Sequence, residues 1–118
     1  MPRSMPDAPT LLRAAMKYLE EELMPTLTGY HRFKTRVTIN ALGVVKREAE
    51  LRAAQAAAEA QRLALILGHG GDPEALSAEL AERIRTGAIS VDDPALREHV
   101  RQSLADALAI NNPKWMDR

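Results

Sequence analysis

Cysteine is absent from this chain of 118 residues, and aromatic side chains make up only 3% of it. Without cysteine the chain can form no disulfide, no thiol nucleophile and no cysteine-based metal site, which suits a reducing cytosol. No apolar run approaches the length of about 18 residues that a membrane-spanning helix needs. The opening "MPRSMPDAPT" lacks the apolar core of a signal peptide. We therefore expect a cytoplasmic protein that does not enter a membrane.

A net charge is lacking as well, because 16 Lys and Arg residues balance 16 Asp and Glu residues. No overall field therefore directs the protein towards nucleic acid or an anionic membrane, and we expect neither as a partner. The charge is nevertheless uneven, since residues 1–58 carry an excess of basic side chains and residues 59–118 an excess of acidic ones. The basic excess comes largely from "YHRFKTRVTINALGVVKRE", residues 30–48, which contains no acid before Glu48.

Proline and glycine divide the chain into segments whose apolar residues recur with helical spacing. Because aromatic residues are few, the core must consist mainly of Leu, Ala, Val and Ile, as in helical bundles. The sequence predicts an all-α, single-domain bundle of four to five helices over residues 1–118, with an ordered core at about 7–115. A chain this short favours a turn near residues 51–54, although no glycine or proline lies there, so one long helix is the alternative. The predicted segments are residues 8–24, 30–51, 54–67, 73–87 and 94–111.

The second segment has one apolar half, which contains Phe33, Val37, Ala41 and Val44. At 100° per residue these side chains share a face, so the pattern predicts that this face is turned towards the core. The same reasoning along the whole chain predicts a set of largely buried residues. They are Leu12, Leu19, Val37, Val44, Leu63, Leu80, Leu104 and Leu108.

The other flank of the second segment collects Arg32, Arg36, Asn40, Gly43 and Arg47 at spacings of four, four, three and four. One interpretation is a solvated helix face whose arginines pair with acids elsewhere. The other starts from the glycine, which costs about 1 kcal/mol relative to alanine inside a helix and so indicates the close approach of another backbone or a ligand. Arginine can grip a carboxylate or phosphate through two hydrogen bonds. We predict a partner-binding or anion-binding surface here.

No arrangement typical of catalysis or metal binding is found. His31, His69 and His99 are far apart and match no metal-ligand spacing. The loop "GHGGD" lacks the lysine and hydroxyl residue of a nucleotide-binding loop, and the serines and threonines form no nucleophile elbow. We expect no metal, no cofactor and no catalytic residue.

Trp115 lies close to the end of the chain, in "NNPKW". A single tryptophan gains much from burial and could cover the end of the bundle. An exposed tryptophan would instead be an interface anchor, since this residue type is enriched among binding hot spots. We include it among the candidate partner-binding residues.

Four segments resemble a small bacterial family known only as a domain of unknown function: "DAPTLLRAAMKYLEEELMP", "RFKTRVTINALGVVKREAEL", "LAERIRTG" and "LREHVRQSLADALAINNPKW". The resemblance covers nearly the whole chain, from about residue 7 to residue 115. A break by glycine or proline is expected after the second helix, and "ELRAAQAAAEA" has none. The most distinctive matching residues are Arg32, Phe33, Arg36, Asn40, Glu48, Asn112, Pro113 and Trp115.

Members of that family are typically encoded beside a kinase of the aminoglycoside-phosphotransferase type and an acyl-CoA dehydrogenase. The resemblance implies an accessory subunit of a phosphotransferase-like hydroxyacyl-CoA kinase, with the phosphoryl chemistry in the larger partner. Two alternatives stay open. One is a stand-alone acyl-CoA-binding or anion-binding enzyme that uses Arg32, Arg36 and Arg47 on phosphates, and the other is a structural, homo-oligomeric helical bundle.

Overall fold

The computed structural model describes residues 6–114, and every regular element within them is helical. The four α-helices are α1 (Ala8–Tyr18), α2 (Gly29–Leu67), α3 (Pro73–Thr86) and α4 (Pro94–Asn111). A π-helical turn (Leu19–Leu23) and a 3-10 turn (Met24–Thr26) extend α1 towards α2. The predicted all-α fold is confirmed for these residues. None of the helices described combines the length and apolarity that crossing a bilayer requires.

The ends of α3 and α4 are where the local sequence predicts them. Asp72 accepts a hydrogen bond from the Ala75 backbone N–H at 3.2 Å, and Asp93 accepts one from Leu96 at 3.0 Å. In each case proline occupies the first turn, where its missing N–H costs nothing. The left-handed backbone of Gly87, with φ of 83°, ends α3.

The second and third predicted segments form one continuous helix, α2, of 39 residues. Of the two alternatives that the sequence left open, a turn near residues 51–54 and one long helix, the structure has the long helix. No glycine or proline lies between Gly43 and Gly68, and this stretch is rich in alanine, the residue with the highest helix propensity. Local propensity thus decides the structure at this point.

The chain divides into two compact units, with the boundary between Arg52 and Ala53. In the second unit, α3 and α4 pack on the later turns of α2 around Leu63, which is 0% exposed. In the first unit Met24 and Ile39 are buried. The core of the second unit consists of Leu63, Leu67, Leu76, Leu80 and Leu96, with Ile66, Ile84 and Ile89 packed against it. A single domain over residues 1–118 stays a prediction.

Two of the residues predicted to be buried are exposed: Val37 is 43% exposed and Leu104 is 62% exposed. Those two predictions are wrong, because α2 and α4 pack through other faces. Burial is confirmed for Leu63 and Leu80. The remaining four are partly buried, and they are Leu12, Leu19, Val44 and Leu108.

Candidate interaction surface

The early turns of α2 pack through a face that carries few large apolar side chains. Ile39 and Gly43 are buried, while Thr35, Leu42 and Lys46 are partly buried. Their spacings of four, three, one and three place them on one side of a helix. Lysine contributes its apolar stem at such positions and leaves its charge in water. The Lys46 ammonium accordingly lies 3.1 Å from the Glu50 carboxylate.

Gly43 marks the place where α1 approaches α2. A Cβ atom at Gly43 would lie 3.5 Å from the Met16 Cε atom of α1 and 3.1 Å from Arg47 Nη1. The glycine was expected to admit another backbone or a ligand, but the atoms nearest to this position are the side-chain ends of Met16 and Arg47. Arg47 is itself partly buried. The ligand-binding role predicted for Gly43 and Arg47 stays a prediction.

Arg32 connects the first turn of α2 to the segment before it. Its Nη1 atom donates a hydrogen bond of 2.9 Å to the backbone carbonyl of Met24, a buried residue of the 3-10 turn. The same carbonyl accepts a hydrogen bond of 3.1 Å from the Leu27 backbone N–H, so Arg32 adds a second donor at the end of this helical segment. The rest of the Arg32 side chain is exposed.

Arg36 and Asn40 follow Arg32 at intervals of four, and both are exposed. Arg32 and Arg36 line an open hollow of about 300 Å³, together with Met24, Gly29 and Phe33. The predicted grouping of Arg32, Arg36 and Asn40 on one flank of α2 is thus observed, while Gly43 is turned towards α1. Trp115, the remaining candidate, lies outside the described residues.

The side of α2 opposite to Ile39 and Gly43 presents a line of exposed apolar residues, which we term the apolar stripe. It consists of Tyr30, Phe33, Val37, Ala41 and Val45. Tyr30 is 66% exposed, Phe33 63% and Val45 52%. Phe33, Val37 and Ala41 were predicted to be turned towards the core, and for them that prediction is wrong, whereas Val44 of the same predicted face is partly buried. The helical periodicity was correct, but the chain packs α2 through the side that contains Ile39 and Gly43 instead.

Three cations lie beside the apolar stripe, and we term Arg32, Lys34 and Arg36 the basic cluster. No carboxylate of residues 6–114 lies within 4.0 Å of their charged groups. Lys34 is instead placed over the Tyr30 ring, 5.9 Å from its centroid. The arginines of α3 and α4 differ from the basic cluster, because each of them pairs with a carboxylate. They are Arg83, Arg85, Arg97 and Arg101.

The basic cluster lies in the first turns of α2, where the electrostatic field of the helix is unfavourable for cations. The N-terminal end of a helix carries a partial positive charge, which favours acids and disfavours cations in the first turns. The first turn of α2 contains no acid. The sequence contains no Asp or Glu anywhere between Glu22 and Glu48. Positive charge therefore accumulates here without an acid in the first turns of the same helix.

A second polar group lies in the other unit, and no pattern in the sequence predicted it. His99 is buried, and its Nδ1 atom accepts a hydrogen bond of 3.2 Å from Arg62 Nε. Arg62 Nη2 also lies 3.8 Å from the Asp106 carboxylate. Burial, and then the nearby Arg62 charge, lower the pKa of His99. Residues 62 and 99 are brought together only by the packing of α4 on α2, so no local pattern could have shown the contact.

His69 has the opposite electrostatic environment. Its Nε2 atom lies 2.8 Å and 2.9 Å from the two carboxylate oxygens of Glu79, which also pairs with Arg83 at 2.7 Å. The hydrogen bond to Glu79 raises the pKa of His69 and lowers that of Glu79. This contact holds the loop after α2 against α3. Among residues 6–114, no three His, Asp or Glu side chains are grouped so that they could share a metal ion.

Over residues 6–114, these features define an all-α chain with an exposed apolar helix face and cations beside it that lack a carboxylate partner within that range. The chain belongs to the family described as domain of unknown function DUF6285, whose model matches residues 25–115. The match includes α2, α3 and α4, and α1 precedes it. No curated protein and no solved structure matches the chain.

Proposed function

We propose that this protein is a non-catalytic accessory subunit that binds a phosphotransferase-like hydroxyacyl-CoA kinase of acyl-CoA catabolism in the cytoplasm. The observation that carries the proposal is the exposed apolar stripe of α2. Aligned apolar side chains on a solvent-facing helix are typical of surfaces that bind another protein. The identity of the partner comes from the family resemblance, whose members are typically encoded beside such a kinase and an acyl-CoA dehydrogenase.

In this role the protein acts through binding free energy. A subunit that binds only the folded kinase stabilises it by about 2.7 kcal/mol when present at roughly a hundred times the dissociation constant. The phosphoryl transfer itself belongs to the larger partner, which supplies the nucleotide and metal sites that this reaction needs. The accessory subunit would keep the kinase folded or hold it in its active conformation.

A stand-alone acyl-CoA-binding or anion-binding protein is the second candidate, and one observation favours it. Arg32 and Arg36 line the same hollow of about 300 Å³. Guanidinium groups in a shared hollow are suited to phosphate, which they can hold through paired hydrogen bonds. This candidate predicts that CoA esters raise the melting temperature of the isolated chain.

Co-expression with the phosphotransferase-type kinase of the same genome tests the proposal. We expect the two chains to purify together, and the melting temperature of the kinase to rise when the accessory chain is added in excess. If the kinase purifies alone and its melting temperature does not change, the proposal fails. A melting shift of the isolated chain with a CoA ester, in the absence of kinase, would instead favour the second candidate.

A further inference from the structure

We infer that the apolar stripe and the basic cluster together bind an acidic amphipathic helix of the partner, with apolar residues on one face and Asp or Glu beside them. This inference rests on the proposed function only in naming the kinase as the partner that supplies the helix. The chemistry of the helix is argued from the surface itself.

The apolar part of the surface has the dimensions of a helix-binding site. From Tyr30 to Val45 it extends over about 22 Å at a rise of 1.5 Å per residue. Its spacings of three and four produce a ridge that another helix can cover with its own side chains. Phe33 and Tyr30, the largest members, are each more than half exposed, so a covering helix would remove much apolar surface from water.

The charge beside the ridge selects an acidic partner. Arg36 and Lys34 lie on opposite sides of Val37 in helical projection, so cations flank the apolar stripe on both sides. Carboxylates on the two flanks of a bound helix would meet them, and each would relieve a cation for which the described chain provides no carboxylate partner. Complementary charge of this kind fixes the orientation of a helix and accelerates its binding.

A second copy of this chain is a poorer match for the same surface. In a parallel pair, the two basic clusters would lie opposite each other. In an antiparallel pair, the basic cluster would face the other end of the apolar stripe, where the exposed acid Glu48 already pairs with Arg52 at 3.3 Å. Like charges that face each other across an interface oppose binding, so parallel self-pairing is penalised, and antiparallel self-pairing offers the three cations one acid that is already paired.

The first test measures the affinity of the chain for the kinase after single substitutions. Arg36→Ala is expected to weaken binding roughly thirtyfold, as truncation of a desolvated interface arginine does. Phe33→Gln should weaken it by about tenfold or more, since glutamine keeps the helix but removes the apolar ring. The matched controls are Arg101→Ala on α4 and Leu65→Gln on the later turns of α2, where Leu65 is 86% exposed. Both controls should bind as the wild type does.

The second test uses two designed helical peptides of about 18 residues with the same leucine face. Glutamate flanks the leucines in one, and lysine replaces every glutamate in the other. We expect the wild-type chain to bind the glutamate peptide at least about tenfold more tightly, and Arg36→Glu to abolish this preference.

The two tests separate the failure of the inference from the failure of the proposed function. If the kinase binds and neither Arg36→Ala nor Phe33→Gln weakens binding, the inference fails and the accessory role stands. If the kinase does not bind, the proposed function fails and the peptide pair decides the inference, which falls if the peptides bind equally or not at all. A wild-type dimer that Phe33→Gln converts into a monomer would show a second copy on the apolar stripe, and this also overturns the inference.

Discussion

Gly43→Ala tests whether Gly43 serves internal packing between α1 and α2. The substitution adds one methyl group at the only buried glycine of the described chain. That methyl group would lie 3.5 Å from Met16 Cε, which is ordinary van der Waals contact, and 3.1 Å from Arg47 Nη1, which is tight. Because Arg47 Nη1 is the end of a long flexible side chain, it can move by the few tenths of an ångström required.

The expected magnitude follows from two opposing contributions. Alanine in a helix interior is favoured over glycine by about 1 kcal/mol, because glycine loses more backbone freedom on folding. The displacement of the Arg47 guanidinium reduces this gain. We expect Gly43→Ala to raise the free energy of unfolding by roughly 0.5 kcal/mol, which corresponds to about 2 °C in melting temperature for a chain of this size.

Urea unfolding followed by helical circular dichroism measures this difference, with an unchanged dependence on urea as the sign that the same surface unfolds. Gly43→Leu is the matched variant, since its larger side chain must displace Met16 and should destabilise by about 1 to 3 kcal/mol. A loss of more than about 1 kcal/mol in Gly43→Ala would refute the reasoning, because it would mean that neither neighbour can give way. Kinase affinity should not change in Gly43→Ala, since the methyl group is added on the packed side.

Three further predictions concern the second unit. Leu63→Ala should lower the free energy of unfolding by roughly 3 to 5 kcal/mol in urea titrations, because Leu63 is fully buried, whereas Leu65→Ala on the exposed side should cost less than about 0.5 kcal/mol. The free energy of unfolding of the wild type should decrease as pH falls below about 6.5, because the folded pKa of His99 is lowered and the unfolded chain binds the proton first. His99→Gln should remove this decrease. Glu79 raises the folded pKa of His69, so the contribution of this contact to the free energy of unfolding is fully present below about pH 6.5 and is lost as pH rises through the folded pKa. His69→Gln should remove this contribution. Unfolding curves at a series of pH values measure both, and slopes that match the wild type in both variants would contradict these assignments.

The ends of the helices could be predicted because the signals that set them are local. Asp72 and Asp93 each precede a proline and cap the helix that follows, and Gly87 supplies the left-handed residue that ends α3. Each signal depends only on neighbours within one helical turn. The union of the second and third segments into α2 was open for the opposite reason, since the sequence contains no signal there and chain length suggested a turn.

The candidate site could be predicted only in part. Residue spacing gives the angle of a side chain around the helix axis, but it does not show which other segment packs against the helix at that turn. Arg36 and Gly43 are close in angle, yet Arg36 is exposed and Gly43 is buried. At the height of Gly43, Met16 of α1 lies against α2. Near Arg36 the neighbour is Met24 of the 3-10 turn, which leaves an open hollow. The division of the predicted flank therefore depends on where α1 ends, and the spacing within α2 does not contain that information.

The wrong prediction of the packed face follows from what hydrophobic periodicity measures. A run such as Tyr30, Phe33 and Val37 shows that one helix face gains free energy when it leaves water, but the pattern does not say which chain covers it. In the first unit the internal contact uses Ile39, Gly43 and the stem of Lys46, so the stronger apolar face is left exposed. An apolar pattern that the chain does not use for its own packing is therefore the feature on which the proposed interface at the first turns of α2 depends.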